Sequence, residues 1–156
     1  MSKRLVMTTV ITLLALIGLS ACQSTPEKLL LRSISNRSWT AAGVGLAIDN
    51  FEWSDGGTDF TRGAFSVARP QGDSLASFQA AIKNGRLEGT IGSGPSIDSA
   101  WISSSPDFAL GRQLTITKVG PTQLRVQLTT RSLLFCTDGS SSKDWAECLK
   151  PSAAPQ

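Results

Sequence analysis

The sequence predicts a mainly β fold: a small antiparallel β-barrel or sandwich with one short N-terminal helix. Three observations carry this. Apolar residues alternate with period two in several separate stretches, Ala42–Ile48, Leu114–Thr117 and Leu124–Leu128 among them. Turn signals recur between these stretches, supplied by 14 glycines and 7 prolines. The strands follow one another at the 8–12-residue spacing usual for small barrels and sandwiches. With 156 residues there is room for one domain.

In chain order, the helix comes first. Thr25 can accept hydrogen bonds from the first free amides, and Pro26 suits the first helical position. Leu29, Leu30 and Ile34 then form a stripe, so a helix is expected from Pro26 to Ser35. Trp39 to Ile48 reads as one strand, bent or bulged at Gly43 and Gly45. Asp49 to Asp59 reads as loop, with Asp55-Gly56-Gly57 as a turn. Phe60 to Arg69 resumes as a strand, closed by Pro70-Gln71-Gly72-Asp73.

The most informative local pattern runs from Phe78 to Ile91. Asn84-Gly85 between alternating runs is a strong hairpin signal, because both turn residues must adopt positive φ. A two-residue turn pairs Ile82 with Leu87 and Phe78 with Ile91 on one face, leaving Gln79, Lys83, Arg86 and Glu88 on the other. The rival reading is a helix over 74–84 capped by Gly85; register and turn residues together favour the hairpin. Ile97 to Ser103 reads as a short strand around Trp101. Leu114–Thr117 and Leu124–Leu128 form a second hairpin across Gly120-Pro121, with the second strand continuing toward Phe135. The tail 151–156 reads as disordered.

The N-terminus is of a different kind. Lys3 and Arg4 precede an apolar run from Leu5 to Leu19, and Leu19-Ser20-Ala21-Cys22 ends it. A charged start, an apolar middle and small residues before a cut describe a secretory signal. The run is shorter than the roughly 20 residues that span a bilayer as a helix. Leu19-Ser20-Ala21-Cys22 resembles the lipobox of bacterial lipoproteins. That resemblance implies a signal peptide over 1–21, cut by the lipoprotein signal peptidase, and diacylglycerol and further acyl chains on Cys22. Residues 22–26 would then be a lipidated tether and 27–150 a single periplasmic domain. Gln23 in place of the inner-membrane-retaining Asp implies the outer membrane, at its periplasmic face. Several acyl chains hold a protein firmly where one gives marginal binding.

The chemistry-bearing residues are few. Cys136 and Cys148, 12 positions apart in an exported chain, are expected to form a disulfide, with Asp138–Ser142 a flexible loop between them. No histidine is present, which removes Ser-His-Asp and Cys-His nucleophile systems and leaves two thiols short of a zinc shell. Ser142-Lys143 has no supporting pattern for Ser-Lys catalysis. The acidic group Asp49, Glu52, Asp55 and Asp59 lacks the Asp-x-Asp-x-Asp-Gly calcium spacing. No cofactor or metal is expected, and no enzymatic activity. Removing Lys3 and Arg4 from 15 basic residues leaves 13 against 12 acidic, without a cationic run, so nucleic-acid binding is not expected. Of Trp39, Trp53, Trp101 and Trp145, most are expected in the core. Trp53, in the acidic loop with Asp55 and Asp59, is the candidate partner-binding position. The functional expectation is a non-catalytic lipoprotein that binds an envelope protein as an accessory or stabilising subunit. The alternatives are a module for a small molecule, glycan or lipid, and an inhibitor of a periplasmic hydrolase.

Overall fold

The computed structural model describes residues 25–49, 53–55, 58–69, 72–92 and 106–150. The expected signal peptide and Cys22, the strand around Trp101 and the tail after Lys150 lie outside them. The described residues form nine strands: β1 (Trp39–Ala41), β2 (Val44–Ile48), β3 (Trp53–Asp55), β4 (Thr58–Arg69), β5 (Gly72–Lys83), β6 (Arg86–Ile91), β7 (Gln113–Gly120), β8 (Gln123–Gln127) and β9 (Ser132–Cys136). Two helices, α1 (Pro26–Ile34) and α2 (Ser142–Cys148), and a 3-10 turn, η1 (Pro106–Phe108), complete them.

All pairings are antiparallel. β2 pairs with β4 and β1 with β9, so eight strands close into an up-and-down barrel and β3 stands outside the ring, paired with β4. This resolves barrel against sandwich. In such a meander, alternate connections fall at opposite ends. The first end carries α1, the β3–β4 and β5–β6 hairpins and the β7–β8 turn; α2 begins there and ends beside the β1–β2 turn. The far end carries the β1–β2, β4–β5 and β8–β9 turns and the connection containing η1.

The Asn84-Gly85 hairpin forms in the expected register, with Ile82 opposite Leu87 and Phe78 opposite Ile91. Asn84 and Gly85 take φ of 51° and 74°, the pair of left-handed residues that matches the strand twist. The helical alternative over 74–84 is thereby excluded. The hairpin across Gly120-Pro121 also forms, with Ile116 opposite Val126.

Four expectations are corrected. Trp39–Ile48 is two strands, folded back at Ala42-Gly43, because Gly43 takes a φ of 74° and Ala41 pairs with Val44. Trp53–Asp55 is strand rather than loop, paired with Thr58–Phe60 across the expected Gly56-Gly57 position. The strand from Leu124 does not continue to Phe135: the chain reverses after Leu128, whose N–H donates to the Arg131 carbonyl at 2.8 Å. The segment 142–148 is helical. Ser141 and Asp144 form a capping box, the Asp144 N–H donating to the Ser141 hydroxyl and the Ser141 N–H to the Asp144 carboxylate, each at 3.2 Å.

Strand alternation sends one face of every ring strand inward. Phe65 is the centre of the interior: its ring centroid lies 5.3 Å from that of Phe78, 5.2 Å from Phe108 and 6.3 Å from Phe135. The tilted geometry suits the quadrupoles of the rings. Leu46, Leu87, Ile91, Ile116, Leu124 and Val126 fill the space around them, all buried.

The two ends are closed from outside the ring. α1 is capped by Thr25, as expected, and buries Leu31 and Ile34 in the core. Its placement is fixed by the Trp39 indole N–H, which donates to the Ile34 carbonyl at 2.8 Å, and by the Asn36 N–H, which donates to the Ile48 carbonyl at 3.3 Å. At the far end η1 inserts Phe108 against Phe65.

The first strand meets the last at a short seam. β1 and β9 share one register pair, Thr40 with Cys136. Outward-pointing Cys136 is bonded to Cys148 of α2, so the helix is fastened over the seam. The Thr137 hydroxyl donates to the Ser38 carbonyl at 2.9 Å, and the Ala42 N–H to the Cys148 carbonyl at 3.1 Å. The Gln123 amide adds a bond to the Asp144 carboxylate at 3.3 Å, linking α2 to β8.

Candidate functional site

Two surface features stand out from the barrel. The first is the β3–β4 hairpin, which extends past the ring at the α1 end. It gathers all three candidate partner-binding residues. Trp53 is opposite Phe60, Asp55 opposite Thr58, and Asp59 opposite Ser54. Strand alternation therefore places Trp53 and Asp55 at positions of one face and Asp59 at the other. Sequence neighbourhood suggested a single acidic loop; the register divides it. Asp49 lies at the root of the hairpin, its N–H donating to the Arg62 carbonyl at 2.8 Å and its carbonyl accepting from the Thr61 hydroxyl at 3.0 Å. Glu52 lies outside the described residues. Just inside the hairpin, the Arg62 guanidinium stands 5.6 Å from the centroid of the half-buried Phe60 ring.

β3 pairs with a strand on one side only among the described residues. A strand edge of this kind offers backbone donors and acceptors to another chain.

The second feature, at the far end, carries no local sequence signal. The β7–β8 ladder ends at Thr115 opposite Gln127, while β7 continues to Gln113 alongside β6. Where the strands part, an open cleft of about 330 Å³ is lined by residues 111–115 and 127–129, Arg112 and Gln113 among them. The Gln127 amide is committed to the Leu128 and Arg131 carbonyls, at 3.1 and 3.4 Å, and braces the β8–β9 turn.

That turn is also held from η1. The Asp107 carboxylate, 5% exposed, accepts from the Thr130 N–H at 2.9 Å and the Thr130 hydroxyl at 2.6 Å, and lies 2.7 Å from Arg131 Nε. The Nε hydrogen is not aligned with the carboxylate, so this last contact is an ion pair rather than a hydrogen bond. The Arg131 guanidinium carbon also sits 5.9 Å from the Phe108 ring centroid. The arrangement fastens the plug at the rim.

The remaining sequence candidates separate clearly. Cys136 and Cys148 form the expected disulfide. Trp39 is core, as expected, and Trp145 is half-buried on α2 three residues before Cys148. Ser142 and Lys143 are exposed in the first turn of α2. Among the described residues, no three of His, Cys, Asp and Glu are grouped to hold a metal ion, and no helix is long and apolar enough to cross a membrane.

No protein-family model matches the chain, and neither a curated protein nor a solved structure matches it at a significant level.

Proposed function

We propose that the chain is a lipoprotein, held by acyl chains on Cys22 at the periplasmic face of a bacterial outer membrane, whose barrel binds a protein partner. In this reading it is a non-catalytic accessory or stabilising subunit of an envelope assembly, such as a secretion or surface-structure machine. The observation that carries the partner-binding half is the filled interior. Eight-stranded barrels that hold a small ligand do so in a mouth or cavity. Here Phe65, Phe78, Phe108 and Phe135 occupy the centre, and Phe108 enters from the rim. Recognition is then a matter of the outer surface and the projecting β3–β4 hairpin, where Trp53, Asp55 and Asp59 are the proposed contact residues. The anchoring half rests on the Leu19-Ser20-Ala21-Cys22 motif.

Deleting the chain tests this reading. The proposal expects specific envelope proteins to be lost from the membrane fraction, restored by the wild-type chain and not by Cys22→Ala. Normal assembly of the envelope proteome in the deletion strain would contradict it.

The rim cleft favours a second reading, a module for a small polar ligand. Its volume is at the lower end of the range for small-molecule sites. Arg112 and the Gln113 amide would make it selective for an anionic or glycan-like molecule.

A further inference from the structure

We infer that the partner docks by adding an extended strand to the free edge of β3, and that this strand carries adjacent cationic side chains. The inference rests on the partner-binding reading and deepens it, naming the mode of contact and the chemistry of the partner. Two residues join β3 to β4, so the closing pair Asp55–Thr58 exchanges main-chain hydrogen bonds, and Trp53–Phe60 does the same two residues along. The root of the hairpin has the same parity. There the Asp49 N–H donates to the Arg62 carbonyl at 2.8 Å, so the even-numbered residues of β4 aim their main-chain groups at β2 and β3. Ser54, between the two bonded pairs, therefore turns its own N–H and C=O to the side where β3 has no neighbour among the described residues. One residue of an incoming chain can exchange two hydrogen bonds with it.

The charge of the hairpin selects the incoming chain. Residues 49–61 hold four acids, Asp49, Glu52, Asp55 and Asp59, and no cation. Of the basic residues on the adjoining strands, Arg62 stands over Phe60 and Lys83 ends β5 at the turn into β6. A second copy of this chain is a poor occupant, because two such edges paired about Ser54 would set the acids of one hairpin against those of the other. A phosphate-rich surface is disfavoured on the same ground. An extended segment bearing lysine or arginine fits. In antiparallel register its first cation stands opposite Asp55, its second opposite Ser54 on the face that holds Asp59, and an apolar residue stands opposite Trp53. The expected signature in the partner is two adjacent cations followed by an apolar residue, without proline among them.

The test uses the full chain in detergent and short labelled peptides, blocked at both ends, with valine and threonine flanks. One carries lysine-arginine-valine at its centre, one glutamate-glutamate-valine, and one lysine-proline-valine, which lacks the N–H that Ser54 would accept. Fluorescence anisotropy reads binding, and hydrogen exchange reads its place. Strand addition predicts binding of the first peptide alone, its loss in high salt by screening, and slowed exchange of the Ser54 amide. Asp55→Lys should weaken binding roughly fivefold, since an exposed ion pair gives way to repulsion. Ser54→Pro should abolish it. Proline is tolerated where a strand's N–H faces away from the sheet, so the β3–β4 pairing should survive, and an unchanged melting curve checks this. The inference is overturned if cationic and acidic peptides bind alike, if none binds, or if Ser54→Pro leaves binding intact. A dimer in sedimentation, dissolved by Ser54→Pro, would also overturn it and assign the edge to a second copy. The partner-binding reading is scored separately, by capture in cells. Envelope proteins held equally by the wild type and by Asp55→Lys/Asp59→Lys would leave that reading standing and sink strand addition by a cationic segment. Capture of none by the wild type would sink the reading itself.

Discussion

Breaking the Cys136–Cys148 bond tests how the barrel is closed. The β4–β5 ladder has nine register pairs, whereas the β1–β9 seam has one. α2 covers that seam and is fastened to it by the disulfide, the Ala42–Cys148 backbone bond and the Gln123–Asp144 contact. The cross-link spans 12 positions. For a loop of that size the chain-entropy relation puts its effect on the unfolded state at roughly 3 kcal/mol. A single domain is stable by about 5–15 kcal/mol, so the loss is a large fraction of the total. The paired substitution Cys136→Ala/Cys148→Ala should lower the melting temperature by roughly 10 °C in a domain of this size. Thermal melting by circular dichroism reads the magnitude, and hydrogen exchange reads the place. Amides of residues 39–42, 132–137 and 145–149 should exchange faster, while those of β5 and β6 change only with global stability. A loss below about 1 kcal/mol, or faster exchange spread evenly around the ring, would refute the view that this bond closes the seam.

Three further predictions follow from the interior and its edges. Phe65→Ala should destabilise by about 3–5 kcal/mol, because it empties the centre of a ring cluster that cannot collapse inside a closed barrel; chemical denaturation checks this. Gly85→Ala should cost about 1–2 kcal/mol through its left-handed backbone alone, since a Cβ there meets nothing within 4 Å, whereas Gly89→Ala should cost more because its Cβ would strike the Gln79 carbonyl and Ala80 of the adjoining strand. Asp107→Ala, which removes both bonds to Thr130 and the ion pair to the partly exposed Arg131, should cost about 2–3 kcal/mol, with the amides of 128–131 becoming the first to exchange.

The legible parts of the fold are those decided by neighbours in sequence. Asn84-Gly85 carries its own turn geometry, and the alternation around it sets the register, so the Phe78–Ile91 pairing could be read directly. Thr25-Pro26 likewise marks the start of α1. Closure was not legible, because it depends on Thr40 meeting Cys136 and Val44 meeting Val67, contacts between residues far apart in the chain. Nor was the end of β8. Leu128–Arg131 contains neither Gly nor Pro, and its reversal is held by Asp107 from another part of the molecule. α2 was legible and overlooked: Ser141 and Asp144 have capping-box spacing, but the surrounding serines read as loop. For the candidate site, the sequence brought Trp53, Asp55 and Asp59 together as a loop. The register shows instead a two-faced hairpin, which only the pairing of β3 with β4 could reveal. The rim cleft arises where two strands part, and no local residue pattern announces that.

In-cell crosslinking with affinity capture reads out whether the anchored barrel holds an envelope protein through its β3–β4 hairpin. The tagged wild-type chain is compared with Cys22→Ala and with a Trp53→Ala/Asp59→Lys hairpin variant. A reproducible set of envelope proteins should be captured by the wild type, absent with Cys22→Ala and depleted with the hairpin variant. Capture of one soluble hydrolase, equal in wild type and Cys22→Ala, or capture of no protein at all, would contradict it.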